Sequence, residues 1–181
     1  YAFPISQPSR SAAMILDVAG KEAYEYHTVN ILAGEQKGEA YQKVNSRGQV
    51  PALVEEGFSL TEGAAILQHV AESRQLADWY PTEAQARART NEWLHWVHGA
   101  IRRSSTMGLL VPKVIQQKEP AEEALPAFKK HLDLLEAHLA ASKFLVGDKP
   151  TIADLFVVPE VDQIRLFAIY DFAGHPHVAR W

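Results

Sequence analysis

The sequence contains no cysteine, and this absence excludes several kinds of chemistry. None of its 181 residues offers a thiol as a nucleophile, a zinc ligand, a disulfide partner or half of a redox pair. A chain without disulfides is most typical of the cytoplasm, which is the location that we predict. The sequence also lacks an apolar run of the roughly 18–20 residues that a membrane-spanning helix needs, so we predict no membrane partner.

An excess of positive charge is missing as well. Lysine and arginine number 18 against 22 aspartates and glutamates, which gives a net charge of −4. This balance argues against nucleic acid as a partner. Histidine pairs such as His95 with His98 have no third convergent ligand, so we predict no metal site. The hydrophobic share of 47% and the charged share of 22% are typical of a globular protein.

Residues 1–74 mix strand and helix patterns. A short apolar run over 1–5 precedes a helical pattern over 11–19, which Gly20 ends, and residues 24–31 alternate as a strand does. Residues 51–60 then predict a tight hairpin with Gly57 in the turn. Thr61 is predicted to cap the following helix. The order βαβ, connector, ββα predicts a sheet with helices on its faces.

The rest of the chain has a helical texture. Residues 75–82, QLADWYPT, carry a turn and a proline, and we interpret them as a linker. A long helix is predicted from Glu83 to about Gln117, ended or kinked by Pro112. A second helix with a continuous apolar stripe follows over 124–142. A third opens at Thr151, which has Asp154 in the capping-box position. Residues 83–181 are therefore predicted to form an all-α domain.

The segment ISQPSRS, residues 5–11, contains three serines, each a candidate for a functional hydroxyl. Pro8 suits the first turn of a helix, because the N–H group that proline lacks would have no helical partner there. This places Ser6 just before the helix, facing its N-terminus. Ser9 and Ser11 fall in the first turns, as locally hydrogen-bonded or solvent-exposed residues.

Three longer stretches carry a family resemblance. They are VNSRGQVPALVEEGFSLTEGAAIL (44–67), WYPTEAQARARTNEWLHWVHGAIRRS (79–104) and FLVGDKPTIADL (144–155). Together they resemble the cytosolic glutathione transferases, and the middle stretch resembles the theta class. The resemblance covers nearly the whole chain. It implies an α+β fold, with a thioredoxin-like βαβ-ββα domain followed by an all-helical domain that is truncated at its C-terminus. It also implies glutathione as co-substrate and a homodimer.

The start of the helix after the hairpin is a candidate anion site, because first-turn N–H groups and the helix dipole favour negative charge. The resemblance implies that the γ-glutamyl carboxylate binds here and that Glu62 receives the ammonium group. Gly63 departs from the theta class, which usually carries serine at this position. The missing hydroxyl removes a hydrogen bond worth roughly 0.5–1.5 kcal/mol, so we expect weaker glutathione binding. Alternatively, Glu62 only complements the helix dipole.

Further residues are assigned by the resemblance alone. It implies a cis Val50–Pro51 bond that aligns the Val50 backbone with the cysteinyl part of glutathione. Alternatively, Pro51 is an ordinary proline at the start of a strand. Gln49 is placed to reach the glycine end or a backbone group of the ligand. Four other residues complete the assignment: Gln36 and Lys37 toward the glycyl carboxylate, Arg102 from the long helix, and Arg10 in support. Lys37 and Arg10 fit a solvent-exposed position equally well.

By position, Ser6 matches the serine that the theta class uses in catalysis. A hydroxyl there can donate to sulfur and stabilise the thiolate, helped by the positive end of the helix. The alternative is a polar residue that only starts the helix. We predict conjugation of glutathione to small hydrophobic electrophiles, with peroxidase activity open. The other hypotheses are a non-catalytic assembly module, which Gly63 favours, and a ligand carrier.

Overall fold

A short hairpin is the centre of the N-terminal unit. Strand β1 (Ala52–Glu55) pairs antiparallel with strand β2 (Phe58–Thr61), with Ala52 opposite Thr61 and Glu55 opposite Phe58. Glu56 and Gly57 form the turn with φ angles of 48° and 86°. Positive φ at both turn residues matches the right-handed twist of the flanking strands, and the hairpin is the one that the sequence predicts.

The computed structural model describes residues 1–20 and 24–181. The described chain divides into two compact units, Tyr1–Tyr80 and Pro81–Trp181. The division falls inside the segment interpreted as a linker. Its first part belongs to the N-terminal unit, because the Leu76 N–H donates to Ala71 O at 2.8 Å and the Tyr80 N–H donates to Leu76 O at 3.0 Å.

The N-terminal segment pairs with strand β1 of the hairpin through its backbone. Tyr1 and Ala52 exchange two backbone hydrogen bonds of 2.9 Å, and Ala2 forms a parallel bridge to Thr28. The predicted strands over 1–5 and 24–31 are thus reduced to single bridging positions. Pro4 explains the first, because it has no N–H to donate and the chain turns so that the Ser6 N–H reaches Phe3 O at 2.9 Å.

Helices cover this sheet. They are α1 (Gln7–Gly20), a 3₁₀ turn (Glu35–Lys37), α2 (Glu39–Gln42) and α3 (Gly63–Ser73). Helix α1 packs against α3, and both bury apolar side chains such as Ile15 and Ile66. The prediction that Thr61 caps α3 is wrong. Thr61 still pairs with Ala52 as the last residue of β2, so Glu62 occupies the cap position.

The C-terminal unit is helical throughout its regular structure. Its helices are α4 (Ala84–Trp96), π-helical turns over Val97–Ile101 and Arg103–Ile115, α5 (Ala124–Ala141), α6 (Ile152–Leu166), a 3₁₀ turn (Phe172–Gly174) and α7 (Pro176–Arg180). The long predicted helix is therefore continued by π-helical turns that run past Pro112. Proline is tolerated where the regular hydrogen-bond ladder is already interrupted.

The sequence predicts three local features of this unit, and the structure differs at one of them. Glu83 caps α4 rather than entering it, since its carboxylate accepts from the Gln85 and Ala86 N–H groups at 2.9 and 2.7 Å. The α5 stripe is buried except Leu125, which is 38% exposed. The capping box of α6 is confirmed, with the Thr151 N–H donating to the Asp154 carboxylate at 2.8 Å. No helix in the two described ranges is long and apolar enough to cross a membrane.

Candidate functional site

Chain direction brings three predicted site segments to one edge of the sheet. The N-terminal segment at Tyr1 runs antiparallel to β1, and β1 runs antiparallel to β2. The chain therefore leaves the N-terminal segment, enters β1 and leaves β2 at the same end of the hairpin. Ser6, Val50 and Glu62 lie at these three points. Helices α1 and α3 both begin here, so the positive ends of their dipoles share the edge.

Ser6 lies immediately before α1, and its carbonyl accepts the first helical hydrogen bond, from the Arg10 N–H at 2.9 Å. This is the N-cap position, where a serine hydroxyl ordinarily binds an N–H of the first turn. Pro8 removes one of those N–H groups. The Ser6 hydroxyl forms no hydrogen bond with any residue that the structure describes, and the side chain is half-buried. It is therefore available to a ligand.

The other two serines of the segment are committed to the fold. The Ser9 hydroxyl accepts from the buried Phe3 N–H at 3.2 Å, and the Ser11 hydroxyl donates to Gln7 O at 3.1 Å. Both are almost fully buried, with exposed fractions of 1% and 0%. The structure therefore supports the prediction that these two serines are locally hydrogen-bonded. Ser6 remains the candidate for a functional hydroxyl.

Just before β1, side chains of the fold hold the backbone at Gln49, whereas the backbone at Val50 is available to a ligand. The Val50–Pro51 peptide bond is cis. The Gln49 carbonyl accepts from Tyr41 Oη and Asn45 Nδ2, both at 2.6 Å. Burial raises the pKa of the Tyr41 hydroxyl, so it remains a donor at neutral pH. Neither backbone group of Val50 has a hydrogen-bond partner within the described ranges, which leaves an edge that an extended peptide can pair with.

The N-terminus of α3 provides the charged part of the site. Glu62 has φ 72° and ψ 117°, a sparsely populated backbone conformation, and its side chain makes no capping hydrogen bond to the first turn of α3 in the described part of the chain. The N–H groups at Gly63 and after it are therefore open to an anion. Sequence reasoning missed Arg47, whose Nη1 lies 3.1 Å from Glu62 Oε1. No local pattern marks a pairing between residues so far apart in the chain.

The connector residues lie beside the same loop. The Gln36 carbonyl accepts from Gln42 Nε2 at 2.8 Å, and a Cβ on Gly48 would lie 3.1 Å from that carbonyl oxygen. Gly48 has φ 61°, so glycine suits both its conformation and this close approach. The Gln36 side-chain oxygen is buried without a hydrogen-bond partner in the described structure, and Lys37 is exposed. The Gln36 and Lys37 side chains can therefore each form a hydrogen bond with a ligand bound beside this loop.

Two predicted arginines have other surroundings. Arg102 belongs to the C-terminal unit, where its guanidinium pairs with Glu160, whose side chain is fully buried. Glu160 also accepts from Ser105 Oγ at 3.0 Å and Thr106 Oγ1 at 2.6 Å. This partner of Arg102 was not predicted, because no sequence pattern joins the two helices. Arg10 lies half-buried in the first turn of α1.

A cavity of about 360 Å³ also opens in the N-terminal unit. It lies beside Tyr1 and is lined by residues 24–27 and 51–55 together with the inner face of α1. None of Ser6, Val50 or Glu62 lines it. Pro51, the residue after Val50, is among its lining residues, so the cavity adjoins the candidate site.

Comparisons with known proteins agree with the sequence resemblance. Residues 1–77 match the family model "Glutathione S-transferase, N-terminal domain", and residues 101–181 match "Glutathione S-transferase, C-terminal domain". Mouse glutathione S-transferase theta-1 and human theta-2 are each 34% identical over 98% of this chain, covering 77% and 75% of those proteins.

Solved structures show the same likeness. The apo form of human glutathione S-transferase T1-1 superposes with a TM-score of 0.86 at 30% identity, covering all of this chain and 79% of that one. The glutathione transferase BmGSTD1 of Bombyx mori superposes with a TM-score of 0.91 at 27% identity, again over all of this chain and over 83% of that one.

Proposed function

Because this chain belongs to the glutathione S-transferase family and is a glutathione transferase of theta-class type, we propose that it transfers glutathione to small hydrophobic electrophiles. The observation that carries this proposal is the Ser6 hydroxyl. It lies unengaged at the N-terminus of α1, on the same sheet edge as the open Val50 backbone and the start of α3. A thiol-bearing anionic peptide needs these three features.

We assign the parts of glutathione by their chemistry. The cysteinyl backbone pairs with Val50 next to Pro51, the γ-glutamyl ammonium meets Glu62, and its carboxylate meets the N–H groups that begin at Gly63. The glycyl end lies toward three further residues: Gln36, Lys37 and Gln49. Arg10, in the first turn of α1, is assigned a supporting role. Arg102 is also assigned to the ligand by the resemblance, and its guanidinium pairs with Glu160.

In the proposed reaction the Ser6 hydroxyl donates a hydrogen bond to the thiolate of glutathione. A free thiol has a pKa of about 8.5, so this donor and the positive end of α1 increase the thiolate fraction at neutral pH. The sulfur then attacks an electrophilic carbon. A carbon–sulfur bond forms, a halide or an epoxide oxygen leaves that carbon with its electron pair, and the thiol proton passes to solvent. Ser6 forms no covalent bond itself.

A conjugation assay tests the proposal. The protein is assayed with an alkyl halide, an epoxide and an activated aryl halide while glutathione is varied, and we expect a rate that saturates with glutathione. Reduction of an organic hydroperoxide by two glutathione molecules, which yields the alcohol, water and glutathione disulfide, is measured in parallel. Glutathione binding without turnover of any substrate would favour a ligand carrier. Absence of glutathione binding would favour an assembly module.

Gly63 provides a second, graded test of the site. Gly63→Ser supplies the hydroxyl that the theta class usually carries beside the γ-glutamyl carboxylate. One added hydrogen bond of roughly 0.5–1.5 kcal/mol corresponds to a Kd for glutathione about two- to tenfold lower. Titration calorimetry on both proteins measures the change. An unchanged Kd would mean that the ligand carboxylate does not reach the start of α3.

We further propose that the enzyme is a cytoplasmic homodimer, which is what the family resemblance supports. Light scattering at micromolar concentration should give twice the chain mass of 20.2 kDa. A mass of one chain at that concentration would contradict the dimer and leave the glutathione site unaffected.

A further inference from the structure

We propose that Arg47 is a further glutathione-binding residue, which pairs with Glu62 to form a receptor for the zwitterionic end of the γ-glutamyl group. In this receptor Glu62 takes the ammonium group and Arg47 takes the carboxylate on the same carbon. The inference rests on the proposed function and adds to it a cation that the family resemblance does not assign.

The contacts of Arg47 are the first support. Its Nη1 donates to Glu62 Oε1 at 3.1 Å and to Thr61 Oγ1 at 3.3 Å. Its remaining guanidinium donors, Nε and Nη2, have no acceptor among residues 1–20 and 24–181. The side chain is 62% exposed, and that of Glu62 is 53% exposed. Nη1 is thus bound by the protein, and the exposed side chain keeps Nε and Nη2 available to a ligand.

Several internal hydrogen bonds hold the loop that carries Arg47. The buried Asn45 side chain accepts from the Arg47 N–H at 3.0 Å and donates to the Gln49 carbonyl at 2.6 Å. The Gly48 N–H donates to Asn45 O at 3.0 Å. These bonds place Arg47 and Val50 on one short, braced loop. The position of the guanidinium is therefore coupled to the backbone that is proposed to pair with the cysteinyl group.

The chemistry of an α-amino acid end group then decides the role. Its ammonium and carboxylate are attached to one carbon, so they lie only a few ångströms apart. A ligand that gives its ammonium to Glu62 therefore presents its carboxylate close to the remaining donors of Arg47, whose Nη1 already contacts Glu62. A planar guanidinium is well suited to a carboxylate, because its parallel N–H groups match the two oxygens. Arg47 would thus make up for the hydroxyl that Gly63 cannot supply.

Titration calorimetry with two ligands tests this role. One ligand is glutathione, and the other is γ-aminobutyryl-cysteinyl-glycine, which keeps the amino group and lacks the carboxylate. Arg47→Met should raise the Kd for glutathione about fivefold, the upper end for a solvent-exposed ion pair. It should leave the Kd for the analogue within twofold of that of the unmodified protein.

A matched control is available in α4. Arg89 forms an exposed ion pair with Glu92, 2.8 Å between Nη1 and Oε2, far along the chain from the site. Arg89→Met should change neither Kd. Arg47→Lys serves if Arg47→Met does not fold. It keeps the charge and loses the planar pair of donors, so it should weaken glutathione binding more than twofold and again spare the analogue.

Two results would overturn the inference while glutathione still binds to the unmodified protein. One is a Kd for glutathione that Arg47→Met changes less than twofold. The other is an equal loss for glutathione and for the analogue, which would mean that Arg47 acts without touching the carboxylate. Failure of the unmodified protein to bind glutathione is a different result, because it overturns the proposed function itself.

Discussion

At the scale of single residues, environment gives three serines of one short segment different roles. Ser9 and Ser11 are buried and their hydroxyls form hydrogen bonds with backbone groups, whereas Ser6 is half-buried and its hydroxyl is available to a ligand. The sequence places Ser6 before the helix, because Pro8 marks the first turn. It leaves the roles of Ser9 and Ser11 open, because burial depends on helix packing that no local pattern contains.

Ser9→Ala separates a structural serine from the candidate catalytic one. The change leaves the buried Phe3 N–H without its acceptor, which should lower the free energy of unfolding by about 1–3 kcal/mol. Urea unfolding measures this loss. The thiol pKa of bound glutathione should stay as in the unmodified protein. A folded Ser9→Ala variant that lost the pKa shift would move the proposed catalytic role from Ser6 to Ser9.

At the scale of elements, local patterns predict what local forces decide. The hairpin turn, the α5 stripe and the α6 capping box all follow from neighbours in sequence. The first strand and residues 24–31 are overpredicted, because strand length depends on the partner and on Pro4. The ion pairs of Arg47 and Arg102 join distant parts of the chain, so the sequence does not reveal them. The positive φ of Glu62 likewise has no local signal.

The pair between the π-helical region and α6 should be cooperative. Glu160 is fully buried, so removing Arg102 leaves a charge without its partner inside the unit. Arg102→Met and Glu160→Met should each lower the free energy of unfolding by about 3–5 kcal/mol. The double variant should lose clearly less than the sum, because apolar side chains then replace both charges. Additive losses in urea unfolding would show that the two groups do not interact.

At the scale of the whole molecule, the division into a mixed unit and a helical unit is readable from the texture of the sequence. What the sequence leaves open is how ionisable groups respond to folding. The His69 hydrogen bond is the main cause that lowers the pKa of Glu55. Burial lowers the pKa of His131. Burial acts to raise the pKa of Glu136, but the Val178 and His177 N–H groups together with the charges of His177 and His175 outweigh it, and the pKa is lowered.

These shifts predict a stability that falls in acid. Each group binds fewer protons in the folded chain than in the unfolded one, so each contribution is lost as pH falls. The loss begins below the ordinary histidine value of 6.5 because of His131, and a second loss begins below 4.5 because of the carboxylates. Urea midpoints from pH 7.5 to 4 should decline in this order. His131→Gln should remove the upper step, and a midpoint constant down to pH 5 would contradict the assignment.

The central claim is that Ser6 stabilises the thiolate of bound glutathione. The direct measurement is the ultraviolet difference spectrum of the thiolate against pH, for the unmodified protein, Ser6→Ala and the surface control Ser73→Ala. We predict that bound glutathione ionises well below its free pKa of about 8.5 in the unmodified protein and the control. In Ser6→Ala the shift should be lost and conjugation should slow roughly 10- to 100-fold, the value of a hydrogen bond to a charged group. A Ser6→Ala variant that kept both the shift and the rate would contradict the account.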